Sequence, residues 1–417
     1  MVSIDVRKTL RDYIQNIDKS DSEDDATEAV DAWDQKLTFL TSCLTDLNQL
    51  RASDAKDKVY GVYALFKKLG VPLPSVDYTK SVAQVYADAA SAVIIWSSSL
   101  TVLRNACTPK RIADLASWVP DWDDASARMW MPTANATNGS KHSWSSPSPS
   151  STPKTKLLTR GYAVGRVGKL TKTFDMLTFP SNTDSISLPI LSNAETSPVE
   201  DVECLRLLID RIRFLRELYH LLKTYQRFRQ SRNISDMFLD VLTCEQENTF
   251  ANVWDLLLHI LLSPSLECDL RAGRAVAENW KALDRGNEGQ WSSELTTCTT
   301  IAASLLSSSI RVDNEIIAFH EDLLDAIKEI SQNLADKTIV AIQLDADSRN
   351  RLVGSCFNKV EIKDKIVLLE GAEWPVILRL KDAEWIFISP AFVLGMMDGE
   401  AWPKDRVSHQ AEEFVLV

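Results

Sequence analysis

The stretch that decides the fold class runs from Thr338 to Ser389 and reads TIVAIQLDADSRNRLVGSCFNKVEIKDKIVLLEGAEWPVILRLKDAEWIFIS. It contains five short runs rich in Val, Ile, Leu and aromatic residues, and these runs are separated by Asp, Lys, Asn and Gly. Runs of this composition, bounded by turn residues, are typical of β-strands. Their close and regular spacing predicts a small antiparallel β module, either a meander or a barrel-like arrangement.

Upstream of this module the sequence has the spacing of helices. In residues 200–335 and in much of residues 1–131, apolar side chains recur at steps of three and four, as on one face of a helix. Residues 57–69 predict one helix that ends at Gly70. Residues 81–96 predict a longer helix, capped by Thr79 or Ser81, and a second helical piece follows in residues 98–107.

Residues 156–170 (KLLTRGYAVGRVGKL) read instead as a strand, and we expect this strand to join the C-terminal β module. Its three glycines are interpreted as bends and bulges. The terminal FVLV can add one edge strand.

These patterns predict an α+β protein, mainly helical in its N-terminal and inserted regions, with the small antiparallel module at the C-terminus. The segment from 132 to 155 is dominated by Ser, Thr, Asn, Gly and Pro, which predicts a flexible loop. The expected organisation is an N-terminal helical region 1–131, the loop 132–155, a strand and loop 156–199, a helical insert 200–335, the β module 336–403 and a tail 404–417.

Composition and charge exclude several classes of function. The chain has 46 Lys and Arg against 58 Asp and Glu, which gives a formal net charge of −12. A chain this acidic offers no basic face for nucleic acid or anionic membranes. No apolar run reaches the length of a membrane span, and the first residues are too polar for a signal peptide. We therefore expect a cytoplasmic protein with no membrane span and no nucleic-acid partner.

Motifs of known catalytic and metal-binding chemistry are absent from the sequence. There is no P-loop, no G-x-S-x-G elbow and no H-E-x-x-H pair. The seven cysteines stand singly, which argues against a zinc module and against a disulfide framework. No catalytic residue, cofactor or metal is therefore predicted.

Two acidic clusters remain as candidate sites. Asp121, Asp123 and Asp124 follow Trp118, and Asp398 and Glu400 flank Gly399. Paired carboxylates can perform acid–base chemistry or bind a divalent cation. We favour a role in turns and helix starts, since Asp-Gly is a common tight turn and Asp caps backbone N–H groups.

Twelve tryptophans are many for 417 residues. Such side chains can anchor partners when exposed, but an indole more often packs inside the protein with its N–H bonded to a backbone carbonyl. We favour burial for those in loop-like and β-rich positions: Trp118, Trp122, Trp130, Trp374, Trp385 and Trp402.

Several of these segments resemble one family. RASDAKDKVYGVY (51–63) is similar to the SDPRDKVYGLY stretch of fungal heterokaryon-incompatibility (HET) domain proteins, and LASWVPDW (115–122) is similar to their LPSWVPDW. DYTKSV (77–82) with Val85-Tyr86 resembles a further helix start of that family, and the segments 352–357, 366–371 and 396–400 resemble its closing block. The matching signature positions are Asp57, Lys58, Val59, Tyr60, Asp77, Tyr78, Trp118, Pro120, Asp121, Trp122, Met397, Asp398, Gly399 and Glu400.

The resemblance also implies what the chain lacks. The family's opening segments, which belong to an N-terminal TIR-like module regarded as the death-triggering part, have no match in this sequence. The resemblance therefore implies a non-catalytic regulatory or partner-recognition region of a protein that acts in self/non-self recognition and programmed cell death. Its expected partners are proteins, including full-length HET-type relatives, and its oligomeric state stays open. The alternative is a hydrolase-like enzyme with a carboxylate site at Asp121, Asp123, Asp398 and Glu400.

Overall fold

A computed structural model describes residues 36–40, 42–106, 110–124, 134–142, 156–170, 218–223, 337–345, 351–357, 360–404 and 411–417. Within these residues the protein is α+β, as the sequence predicts. Helices occupy the N-terminal part, and a single seven-stranded sheet occupies the C-terminal part together with residues 157–170. The predictions for residues 1–35, for 171–199 and for all of the insert 200–335 except the helical residues 218–223 lie outside the described residues.

The N-terminal part consists of short helices followed by one long helix. Residues 36–40 and 42–46 are helical and lead into a 3-10 turn at Leu47–Gln49. Helices α1 (Ala55–Tyr60) and α2 (Tyr63–Lys68) replace the single helix predicted over 57–69, because the chain turns at Gly61 and Val62 between them. Gly70 ends this region as predicted, with a φ of +87° that favours glycine.

The long helix α3 (Val82–Ser97) begins where the sequence places it. Ser81 accepts a hydrogen bond from the backbone N–H of Gln84, and the Gln84 side chain accepts one from the backbone N–H of Ser81. This reciprocal capping box satisfies two N–H groups that have no partner inside a helix. A 3-10 helix, Thr101–Asn105, follows α3 where a second helical piece was predicted.

All seven strands predicted from the sequence are present. They are β1 (Leu157–Leu170), β2 (Lys337–Leu344), β3 (Arg351–Phe357), β4 (Lys365–Leu369), β5 (Val376–Lys381), β6 (Glu384–Val393) and β7 (Glu412–Leu416). The strand order is β2-β3-β6-β5-β4-β1-β7, and β1 also pairs with β2. All pairings are antiparallel except a single parallel bridge between Trp385 and Leu416. The sheet is therefore more than a simple meander, because β1 and β7 are paired with strands distant in sequence.

Strand β1 joins the module because its glycines allow close approach of its neighbours. A Cβ atom on Gly161 would lie 2.3 Å from the Leu368 carbonyl oxygen, and one on Gly165 would lie 2.5 Å from that of Gln343. The register of β1 shifts between Ala163 and Gly165 against β4, as expected for a bulge. The interpretation as bulge positions is confirmed for Gly165 and Gly168, beside which the register shifts, whereas Gly161 pairs in regular register.

The side chains of the sheet alternate between cores. On β4 and β5, Val367, Leu369 and Leu378 pack with the helices in the largest core, whereas Ile366 and Ile377 belong to a second core on the other side of the sheet. The first core is continuous from the N-terminal helices to the sheet, so the two parts share one hydrophobic interior. Among the described residues, no helix is both long and apolar enough to cross a membrane.

Candidate functional site

The buried ammonium group of Lys58 connects two of the signature segments, 51–63 and 115–122. This lysine lies on α1 and has a side chain that is only 6% exposed. Its Nζ donates a hydrogen bond to the Trp122 carbonyl oxygen at 3.0 Å and forms an ion pair with Asp123 at 3.1 Å. A buried cation needs such partners, because the loss of hydration is otherwise uncompensated. Lys58 therefore ties α1 to the segment that contains the two tryptophans.

Val59 and Tyr60, which follow Lys58, link the same helix to the core and to the segment before α3. Val59 is completely buried. The Tyr60 hydroxyl donates to the Asp77 carbonyl oxygen at 2.8 Å and accepts from the Asp77 backbone N–H at 3.1 Å. The Asp77 side chain accepts from both the N–H and the hydroxyl of Thr79, and the hydroxyl bond is the main reason that the pKa of Asp77 is lowered. These bonds fix the turn that precedes α3.

Tyr78 is held in place although it is exposed. Its hydroxyl donates to Asp57 at 2.5 Å, which is the main reason that the pKa of Tyr78 is raised. Its ring packs edge-on against Tyr60 with 5.1 Å between the ring centroids, and the Lys56 ammonium group lies 5.8 Å from the Tyr78 ring. Asp57 and Tyr78, which stand 21 residues apart in sequence, are thus direct partners.

Asp121 binds backbone N–H groups. One carboxylate oxygen accepts hydrogen bonds from the N–H groups of Arg111 and Ile112 at 2.6 and 3.0 Å. The other oxygen accepts one from the N–H of Asp123 at 3.2 Å. The side chain is buried and stabilises two turns at once, which agrees with the interpretation of Asp121 as a capping residue.

The two tryptophans of the signature segment belong to the main core. Trp118, Pro120 and Trp122 are buried, and Tyr86 of α3 packs edge-on against the Trp122 ring at a centroid distance of 5.1 Å. Trp374 and Trp402 are also buried, so the prediction of burial is confirmed for four of the named tryptophans. Trp385 is only partly buried, and Trp130 lies outside the described residues. The expected backbone partner is missing for Trp122, whose indole N–H makes no hydrogen bond within the described residues.

Ser117 joins this segment to the sheet. Its hydroxyl accepts a hydrogen bond from the Phe387 N–H of β6 at 2.9 Å and donates one to the Val417 carbonyl oxygen. The Ser117 backbone N–H bonds the same carbonyl oxygen at 2.9 Å. Residues 117–123 therefore contact α1, α3 and the sheet together, and we call them the joint.

The second group of signature residues lies at the far end of β6. The Met397 sulfur accepts from the Val393 N–H at 3.3 Å, and the Glu400 carboxylate accepts from the Asp398 N–H at 2.9 Å. Gly399 has a φ of +78°, and a Cβ atom there would lie 3.3 Å from Asn138. Asp398 and Glu400 are exposed and lie in a turn that follows β6, in agreement with the interpretation of Asp-Gly as a turn.

Residues 134–142, which we call the strap, differ from the flexible loop predicted over 132–155. The Asn135 N–H donates to the Met397 carbonyl oxygen, and the Ala136 N–H donates to that of Glu373. The Thr137 hydroxyl donates to the Ala372 carbonyl oxygen, and the His142 N–H donates to that of Ser98. The polar residues that predict a flexible loop form hydrogen bonds to the backbone of neighbouring segments. These nine residues therefore lie against both the end of α3 and the sheet.

Buried and half-buried ionisable groups lie in the strap and next to it. Burial lowers the pKa of His142, although a hydrogen bond to the Glu370 backbone opposes this effect. Burial raises the pKa of Glu373, while its bond from the Thr101 hydroxyl at 2.8 Å and the charge of Arg104 lower it. The Arg104 guanidinium also lies 5.2 Å from the Trp374 ring. The Glu373 carboxylate and the Arg104 guanidinium stabilise each other's charged form, which opposes the effect of burial on both pKa values.

The carboxylates of the alternative enzyme hypothesis have separate local roles. Asp121 binds backbone N–H groups, Asp123 pairs with Lys58, and Glu400 binds its own turn. The described part of the chain contains no group of three or more His, Cys, Asp or Glu side chains that could hold a metal ion. What these residues do in this arrangement is to hold loops and helix ends.

Sequence reasoning missed the residues that have no signature of their own. Ser117, Glu373 and His142 became recognisable only through the contacts described above, since a lone Ser, Glu or His gives no pattern. The resemblance did point to the correct neighbourhood for Ser117, which directly precedes Trp118. Comparison with family models, with curated proteins and with solved structures finds no match to this chain.

Proposed function

We propose that this chain is a HET-type protein region that acts without catalysis, as a regulatory or partner-recognition scaffold in fungal self/non-self recognition. One observation carries the proposal: most of the residues that match the HET signature bind the protein's own backbone or lie in its core, and the exposed Tyr78 bonds another signature residue, Asp57. Lys58 and Tyr60 bind backbone atoms of other signature segments, Asp121 binds the backbone N–H groups of Arg111 and Ile112, and Trp118 and Trp122 are buried. Signature residues of this kind hold the helices, the joint and the sheet together, which supports a structural role for the signature.

The order of the signature segments along the chain supports the same proposal. The first three segments lie in the helices and in the joint, and the closing block lies in β3, β4 and the turn after β6. We propose that the six strands β1–β6 form a barrel-like module, since the pairings lead from β2 through β3, β6, β5, β4 and β1 back to β2. A rigid module next to a helical layer presents surfaces to a protein partner without needing a cleft for a substrate.

The proposed partners are proteins, and full-length HET-type relatives that carry the TIR-like module are the first candidates. The net charge of −12 favours partners other than nucleic acids. We further propose a cytoplasmic location, which places the region where such relatives would meet it.

The test measures NAD hydrolysis by the purified chain, since the resemblance assigns the effector activity to the TIR-like module, which no segment of this sequence resembles. We expect no turnover above a buffer blank, while a TIR-domain NAD hydrolase measured in parallel serves as the positive control. Turnover that follows the protein through purification would overturn the proposal. If the double substitution Asp398→Asn with Glu400→Gln then abolished that turnover, the carboxylate-enzyme alternative would replace it.

A second measurement addresses recognition directly. A full-length HET-type relative is mixed with the chain, and complex formation is followed by analytical ultracentrifugation. The matched control is the Lys58→Met variant, in which the joint is weakened but the exposed surface is nearly unchanged. If the unaltered chain and the Lys58→Met variant both bind the relative, recognition through the exposed surface is supported. If the unaltered chain does not bind, recognition of that relative is contradicted.

A further inference from the structure

The exposed tip of the strap carries the reactive dipeptide Asn138-Gly139. It is the one place in the 417 residues where asparagine is followed by glycine. Asn138 and Gly139 have φ values of +51° and +67°, and the Ser140 N–H donates to the Thr137 carbonyl oxygen at 3.1 Å. These are the features of a type I′ turn, in which Asn-Gly is the preferred pair. Both residues are exposed to solvent.

Asparagine is a thermally labile residue, and its lability is greatest before glycine because the backbone nitrogen that follows is not shielded by a Cβ atom. That nitrogen attacks the side-chain carbonyl carbon. A C–N bond forms, the nitrogen loses its proton, and the side-chain amide nitrogen leaves as ammonia. Water then opens the cyclic succinimide at either carbonyl, which leaves aspartate or isoaspartate at position 138 with no change of oxidation state.

In the docked strap the attacking nitrogen is engaged. The Gly139 N–H donates a hydrogen bond to the Asn135 side-chain oxygen at 2.6 Å. A nitrogen that keeps its proton in a short hydrogen bond is a poorer nucleophile than one that is free to lose it. Asn135 is itself anchored, because its backbone N–H bonds the Met397 carbonyl oxygen at 2.7 Å. We propose that Asn138 is a site of spontaneous deamidation and that the Asn135 side chain restrains this reaction while the strap is docked.

The product would change the charge of a contact that the structure already defines. A Cβ atom at Gly399 would lie 3.3 Å from Asn138 Cβ, and Gly399 stands between the exposed carboxylates of Asp398 and Glu400. A new carboxylate at position 138 therefore adds a third negative charge to this contact. Like charges at short range repel each other, so deamidation weakens the docking of the strap.

The test uses the full chain at mildly alkaline pH, with deamidation at position 138 quantified by proteolysis and mass spectrometry. The unaltered protein is compared in its native state and unfolded in urea, and we expect the unfolded chain to convert several-fold faster. Equal rates in the two states would overturn the proposal. As a control on the chemistry, Gly139→Ala in the unfolded chain should slow conversion strongly, and an unchanged rate there would contradict the succinimide route.

Two matched variants test the role of Asn135. Asn135→Ala removes the acceptor oxygen and should raise the native rate several-fold, whereas Asn135→Asp keeps an oxygen in place and should stay near the unaltered rate. The Ala136 amide, which bonds the Glu373 carbonyl oxygen, reports whether the strap stays docked. Acceleration in Asn135→Ala with the Ala136 amide still protected from exchange supports the proposal. No acceleration, or acceleration only with loss of that protection, contradicts the assignment to Asn135.

Discussion

The β module and the joint are stabilised in different ways. The sheet is held by backbone ladders, in which each strand bonds its neighbour residue by residue and apolar side chains alternate between two cores. The joint has no ladder. Single side chains connect it to distant segments, as Lys58 does from α1 and Ser117 does toward β6, while Asp121 bonds backbone N–H groups nine and ten residues away. Repeated backbone hydrogen bonds and alternating apolar side chains therefore stabilise the sheet, while a few individual side chains determine how the helices contact it.

The largest effect should come from removing an aromatic side chain of the joint. Trp122→Ala deletes a fully buried indole that packs on Tyr86, and large-to-small changes of this kind cost about 3–5 kcal/mol of unfolding free energy. Urea denaturation measures the loss. Trp122→Phe should cost less, since it keeps an aromatic ring and removes an indole N–H that makes no hydrogen bond within the described residues. Equal costs for the two variants would contradict this account of the joint.

A single methyl group should disturb the sheet where β1 meets β4. Gly161→Ala places a Cβ atom 2.3 Å from the Leu368 carbonyl oxygen, so backbone must shift, at a cost of about 1–3 kcal/mol. Gly168→Ala on the same strand is the matched control, because its nearest neighbour would be 3.5 Å away. Thermal unfolding of both variants compares them. A Gly168→Ala variant that is the less stable of the two would show that the register of β1 is different.

Loss of the buried ammonium group tests the joint again, with a smaller effect. Lys58→Met keeps the apolar stem but leaves the Trp122 carbonyl oxygen without its donor, which costs about 1–3 kcal/mol. Lys67→Met, at an exposed position on α2, should be close to neutral. Chemical denaturation of the two variants under the same conditions gives the comparison. Similar stabilities would mean that Lys58 contributes no more than a surface lysine.

The smallest effect is the pH dependence of the strap. Because burial lowers the pKa of His142, the unfolded chain binds more protons than the folded one as the pH falls below 6.5, the ordinary value of histidine. Stability therefore decreases on acidification through this window. Glu373, with a raised pKa, contributes in the opposite direction, so the measurement is the difference between the unaltered protein and His142→Gln at each pH. If that difference does not change with pH, His142 is not held in its neutral form by burial.

The sequence predicted the sheet well because strand signals are local and repeated. The five runs between residues 338 and 389, the distant strand 157–170 and the terminal FVLV all pair as expected. The strap was missed for the opposite reason. Its residues are polar and show no periodic pattern. They dock on the carbonyl groups of Ala372, Glu373 and Met397, and no local sequence pattern predicts these distant partners.

The joint lies between these two cases. The resemblance singled out Lys58, Asp121 and Trp122, and the sequence favoured a capping role for Asp121 and burial for Trp122. The sequence could not show that the Lys58 ammonium group donates a hydrogen bond to the Trp122 carbonyl oxygen, because the two residues are 64 positions apart. Long-range side chain–backbone bonds of this kind depend on the complete fold.

The most direct test of the joint is hydrogen exchange at the Phe387 amide, which donates to the Ser117 hydroxyl. In Ser117→Ala we expect this amide to exchange much faster than in the unaltered protein, while the ladder amides of β4 and β5 keep their protection. An unchanged rate at Phe387 would contradict the claim that residues 117–123 connect the helices to the sheet.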